Sequence, residues 1–131
     1  MPRLNHASCY AIDPKAAAEH LVALCGGRTE SFHPVPGGWA CLFEGSWTGT
    51  LLELYPHTHR IFHDGTKVGF AEMKEPVRGA GVHFNISVEK SRAEIEAICK
   101  ERGLACAWRD WAKFLDVKID DDLIVELVCP S

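Results

Sequence analysis

Leu51-Leu52-Glu53-Leu54-Tyr55-Pro56, answered later in the chain by Ile124-Val125-Glu126-Leu127-Val128-Cys129-Pro130, is the pair of phrases on which the fold turns. Each is an apolar run of strand length with one carboxylate in its middle and a proline at its close. Side chains alternate across a strand, so Leu51, Glu53 and Tyr55 share one face, as do Ile124, Glu126 and Val128. An ionised carboxylate inside such a run is costly unless it is paired or metal-bound. One such residue carries little weight. Two in matching contexts call for a common cause.

Working outward, the phrases close two similar stretches. When His6 is placed on His83, both histidines open an alternating segment, predicted as strands over 4–12 and 82–88. A helix follows each. In the first, Asp13 is a cap and Pro14 suits the first helical position. In the second, Ser91-Arg92-Ala93-Glu94 is a capping box. In the same alignment Ala18, Leu21 and Val22 fall on Ile95, Ile98 and Cys99, the apolar stripes of two amphipathic helices. Gly26-Gly27 and Gly103 end them. Strands are predicted over 30–33, 39–43 and 50–55, then over 104–108, 113–119 and 123–128. Pro36-Gly37-Gly38 and Asp120-Asp121-Asp122 supply turns.

The chain therefore reads as an α+β protein of two βαβββ modules. Module one spans 1–56, a link spans 57–80 and module two spans 81–131, all within a single domain of 131 residues. The link is polar, rich in glycine and charge, and without a clear period. A link of that length is expected to cover a site or hold a short helix.

Composition narrows the function. The chain is 47% hydrophobic and 24% charged, with net charge −4 and no run of Lys or Arg. That speaks against a nucleic-acid or membrane-surface partner. No apolar stretch reaches membrane-spanning length, and the first residues lack the apolar core of a signal peptide, so a cytoplasmic protein is expected. The six cysteines are scattered singly with no C-x-x-C pair, and read as structural thiols.

The candidate chemistry lies in His6, Glu53, His83 and Glu126. His6 shares a face with Ser8 and Tyr10, and His83 with Asn85 and Ser87. The opposite faces carry Ala7, Cys9, Ala11 and Phe84, Ile86, Val88, which suit packing under a helix. Two imidazoles and two carboxylates suit a divalent Zn, Ni, Co, Fe or Mn ion, and offer fewer hard oxygens than calcium takes. Each residue alone is better read as ordinary strand chemistry. The repeat of the pair favours a metal.

With these residues in view, the chain resembles the vicinal oxygen chelate superfamily, which includes glyoxalases, bleomycin resistance proteins and dioxygenases. The resemblance rests on Leu4-Asn5-His6, Leu52-Glu53-Leu54, Val82-His83-Phe84 and Val125-Glu126-Leu127 within paired βαβββ modules. It implies a cupped, barrel-like mixed sheet around a metal site, often within a homodimer. The order His, Glu, His, Glu is similar to that of bacterial glyoxalase I. The resemblance thus implies a metal-dependent lyase or isomerase acting on a small-molecule substrate with neighbouring oxygens, for instance a thiol conjugate. Glu126 is then the first candidate for the proton-moving base and Glu53 the second. Two alternatives stand beside it: a metal-free sequestering protein of the bleomycin-resistance type, and a ring-cleaving dioxygenase. The sequence departs from common relatives at Ala16-Ala17-Ala18 in the first helix and at Asp120-Asp121-Asp122 before the last strand.

Other features have plainer readings. His57, His59 and His63 are expected to be a solvated cluster in the link, with contact to a substrate as the sharper variant. Trp39, Trp47, Trp108 and Trp111 are expected to pack in the core or at its rim, with one or two lining an aromatic pocket. Arg60, Lys67, Lys74 and Arg78 make the link locally basic.

Overall fold

The computed structural model describes residues 4–76 and 83–131. The elements run β1 (His6–Tyr10), α1 (Pro14–Cys25), β2 (Arg28–Phe32), β3 (Gly38–Leu42), β4 (Leu51–Tyr55), β5 (His59–His63), β6 (Val68–Glu72), β7 (Phe84–Ser87), α2 (Arg92–Arg102), β8 (Cys106–Arg109), β9 (Phe114–Asp120) and β10 (Leu123–Val128). The two halves have the same topology. One sheet is ordered β1-β4-β3-β2 and the other β7-β10-β9-β8. In each, the first strand runs parallel to the last and the remaining pairs are antiparallel. A backbone bond extends each parallel pair past its end, Ala11 N–H to the Tyr55 carbonyl and Val88 N–H to the Val128 carbonyl, both 3.0 Å.

Local chemistry accounts for the helices. The Asp13 carboxylate accepts from the Ala16 N–H at 3.1 Å, and Pro14 occupies the first turn. Ser91 Oγ accepts from the Glu94 N–H and donates to its carboxylate. Gly103 closes α2 in the left-handed conformation. Gly27 is required twice over. Its φ is +92°, and a Cβ there would collide with the Leu42 carbonyl of the neighbouring β3.

α1 lies against β2, β3 and β4, and also reaches α2 and β9. Its buried stripe, Ala17, Ala18, Leu21 and Leu24, joins Ile95 and Cys99 of α2 in one core. That core also takes Leu52 and Leu54 of β4 and Val125 and Leu127 of β10. Both sheets therefore turn the apolar side of their closing strand toward one shared interior.

The two βαβββ modules follow the sequence expectation, as two four-stranded mixed sheets that stay open. Two findings differ from it. The link holds no helix among its described residues. It forms an antiparallel hairpin, β5 with β6, in which Phe62 faces Gly69 and Ile61 faces Phe70. Gly65, at φ +98°, turns it. His57 is not a solvated link residue. Its side chain is 8% exposed and its Nε2 lies 3.1 Å from Asp122 Oδ2, itself 7% exposed, in the turn between β9 and β10. The contact is close enough for an ion pair but off the line of a hydrogen bond. Tyr10 stacks on the imidazole at 5.3 Å. The neighbouring Asp120 accepts from the Ile12 N–H at 2.8 Å. The triple-aspartate turn thus holds the second half against the first. Arg78, Val82 and the boundary between link and second module lie outside the described residues.

Candidate metal centre

The register puts one polar residue beside each glutamate. Ser8 is the Cα partner of Glu53 on the parallel neighbour strand, and Asn85 is the partner of Glu126. Both sit two residues after the histidine of their half. In the first half, Glu53 Oε1 accepts from Ser8 Oγ at 3.1 Å and from the Tyr55 hydroxyl at 2.9 Å, leaving Oε2 3.6 Å from His6 Nε2. In the second, Glu126 Oε1 accepts from Asn85 Nδ2 at 3.2 Å, leaving Oε2 3.7 Å from His83 Nε2. In both, one carboxylate oxygen is tethered and the other faces the imidazole.

Burial separates the two pairs. The Glu53 side chain is 9% exposed and that of Glu126 is 15%. Burial pushes the Tyr55 phenol up to about 12, and the adjacent Glu53 carboxylate adds to the shift. Tyr55 is therefore a neutral hydroxyl that can only help hold Glu53 by donating to it. Both histidines are more than half exposed.

The donors fit a divalent transition metal two at a time. Ligand atoms bound about 2.0–2.2 Å from one ion stand roughly 3–3.5 Å apart, so each Nε2–Oε2 gap needs only a small contraction. The tethered second oxygen is the arrangement that orients a ligating carboxylate. The four predicted residues do not meet in one chain. Among the described residues, no three His, Cys, Asp or Glu side chains gather as a metal cluster. The reason lies in the strand parity. Leu52 and Leu54, and Val125 and Leu127, face the shared core. Glu53 and Glu126 alternate with them, so each pair lies on the side of its sheet turned away from that core.

Sequence reasoning placed Ser8, Tyr55 and Asn85 on the right faces without assigning them a role. One signal was present: the residue two after each histidine is polar and shares its face. The surroundings of the pairs were not foreseen. Beside Glu126, its register partner Asp116 is held by Arg109 through Nε–Oδ2 at 2.9 Å and Nη2–Oδ1 at 2.8 Å. Beside Glu53, Tyr55 stacks on Phe32 at 5.9 Å, and Phe70 of the hairpin meets both rings edge-on.

Solved structures share this architecture. A fosfomycin resistance protein from Mesorhizobium loti superposes with a TM-score of 0.61 at 12% identity, over 100% of this chain and 94% of that one. A possible glyoxalase from Bacillus cereus gives 0.58 at 16% identity, over 97% and 98%. A lactoylglutathione lyase from Agrobacterium tumefaciens gives 0.54 at 17% identity, over 97% and 92%. The fold is glyoxalase-like. At these identities the likeness is one of fold, and function must be argued from the site. No protein-family model matches the sequence, and no curated protein matches it. No described helix of this glyoxalase-like chain is long and apolar enough to cross a membrane.

Proposed function

We propose that this chain is a metal-dependent enzyme of glyoxalase type, a lyase or isomerase acting on a small substrate with neighbouring oxygens. His6, Glu53, His83 and Glu126 would hold one divalent Zn, Ni, Co, Fe or Mn ion. The observation that carries the reading is the duplicated geometry: two His–Glu pairs, each with one carboxylate oxygen tethered from the same register position and the other turned to the imidazole. A purely structural ion pair has no need of that repetition.

A complete site then takes two copies of the chain. Each copy offers two half-sites on faces turned from its core, and β1 and β7 are edge strands of their sheets. A two-fold dimer that brings the first half of one copy to the second half of the other makes two sites of two imidazoles and two carboxylates. An unpaired edge is a ready surface for such an approach.

When bound, the ion supplies Lewis acidity toward a substrate oxygen that gains charge in the reaction. The residues divide the remaining work. Glu53, tethered twice and the more buried, stays a fixed ligand. Glu126 has one tether, from Asn85, and lines an open recess with His83. That makes Glu126 the candidate to carry a proton between adjacent substrate carbons.

Metal analysis and sedimentation of protein purified without chelator test this reading. The expected result is a dimer with close to one ion per chain. Less than a tenth of an equivalent, not restored by reconstitution, would sink it and leave the metal-free sequestering alternative. Turnover of the hemithioacetal of methylglyoxal and glutathione tests the narrower glyoxalase assignment alone.

A further inference from the structure

We infer that the site takes a small acid in which a flat apolar group adjoins the oxygens presented to the ion. This rests on the two-copy metal site proposed above and adds a substrate class to it. The ground is that the two site faces are unlike.

The face of Glu53 is apolar and aromatic around the carboxylate, with the Arg28–Glu30 ion pair at its outer strand. Its floor is Ala40, Leu42 and Leu51, all buried. Its wall is aromatic, with Phe32, Tyr55 and Phe70 at mutual centroid distances of 5.5–6.0 Å and Trp47 at 6.3 Å from Phe32. Phe32 and Phe70 are only partly buried, and Trp47 is 44% exposed, so the wall keeps ring surface open. A flat group laid on such rings gains apolar burial and ring contact together.

The face of Glu126 is charged. His83, Arg109, Asp116, Ile124 and Glu126 line an open recess of about 600 Å³. The two-point grip of Asp116 fixes the guanidinium plane of Arg109. The rings of Trp111 and Phe114 flank it at 5.5 and 5.0 Å. Asp116 engages Nε and Nη2, and no hydrogen-bond acceptor among the described residues meets Nη1. A guanidinium offers donors only, so this edge calls for an oxyanion. A carboxylate there would lie within the same recess as His83 and Glu126.

A site completed by a second copy has one wall of each kind. A polar acid without a ring would leave the aromatic wall wet. A neutral ring compound would leave Arg109 unanswered. The class that answers both is an apolar-substituted acid with two neighbouring oxygens.

Calorimetric titration of the zinc-loaded full chain tests this with three compounds: phenylglyoxylate, glyoxylate, which lacks the ring, and 1-phenylpropane-1,2-dione, which lacks the charge. Phenylglyoxylate should bind at least roughly tenfold more tightly than either. Phe70→Ala should remove most of its advantage over glyoxylate. Arg109→Gln combined with Asp116→Asn, which leaves a neutral amide pair, should remove most of its advantage over the dione. Circular dichroism checks that both variants fold. Three affinities within about twofold, or preferences that survive both variants, would overturn the inference. Zinc content is measured in every sample, and the titrations are repeated on zinc-free protein. Absent zinc binding counts against the metal reading alone, because the ring and charge preferences are read either way.

Discussion

The two halves share a topology, a register and a His–Glu pair, yet differ in almost everything around that pair. In the first, Glu53 has two hydroxyl donors and lies beside stacked rings and the β5–β6 hairpin. In the second, Glu126 has one amide donor and faces a charged recess. Its register partner is Asp116, whereas the corresponding antiparallel partner of Glu53 is Ala40. The shared parts are the tethered carboxylate oxygen and the imidazole that faces the other one. The divergent parts give one carboxylate two tethers and the other a single one, among unlike neighbours. On the proposed function, the shared parts are the ligands and the divergent parts give the site its direction.

The strongest way to break this comparison is to remove one half of the site. If an ion takes one pair from each half, His6→Ala and His83→Ala should each empty both sites of a dimer. Metal affinity should fall by more than the 10–100-fold typical of losing a supporting residue. If each pair binds alone, either variant retains half the metal, and titration of metal per chain distinguishes the two.

The next effect concerns what holds the halves together. His57→Ala leaves Asp122 without its buried imidazole and opens space under Tyr10. Removing one member of a buried pair costs about 3 kcal/mol or more, read as a lower denaturant midpoint. A loss under about 0.5 kcal/mol, the range of an ordinary surface change, would show that the triple-aspartate turn is not a clasp.

Smaller effects sharpen the contrast between the carboxylates. Tyr55→Phe keeps the ring stack and removes one tether, so metal affinity should fall about tenfold. Asn85→Ala removes the amide tether of Glu126 and should lower affinity by a similar factor while also slowing turnover, because it frees the proposed base. Equal losses of affinity with equal turnover would remove the assignment of unlike roles.

The last effect lies in the thiols; it is absent at neutral pH and confined to alkaline pH. Burial raises Cys9 and Cys25 in the first half from 9.0 to about 12, and Cys99 in the second likewise. Above pH 9 the unfolded chain gives up these protons and the folded one keeps them. The folded state then binds more protons, so stability falls as pH rises from about 9 toward 12. Below pH 9 this contribution is intact. Cys9→Ala should flatten the alkaline limb of the stability profile; an unchanged limb would refute thiol burial as its cause.

The legible part of the molecule was local. Asp13, Pro14 and Ser91 cap the helices they announced, and strands β3, β4, β9 and β10 fall within a residue or two of the alternating runs. The link was illegible because β5 and β6 are short strands stabilised by each other and by Phe70 packing on Tyr55 and Phe32, which no local period encodes. His57 misled for the same reason. Its neighbours in sequence are polar, and its burial comes from Tyr10 and Asp122, one far before it and one far after it.

For the phrases around Glu53 and Glu126, the sequence by itself determined that each carboxylate sits in the middle of a closing strand, in a half that a histidine opens. Alternation and the internal repeat suffice for that, because both are properties of neighbouring residues. Only the tertiary structure decided that the two pairs lie on faces turned from one common core, and so do not meet within a chain. That depends on which side of each sheet the helices and the shared apolar side chains bury, a choice made by packing over the whole molecule.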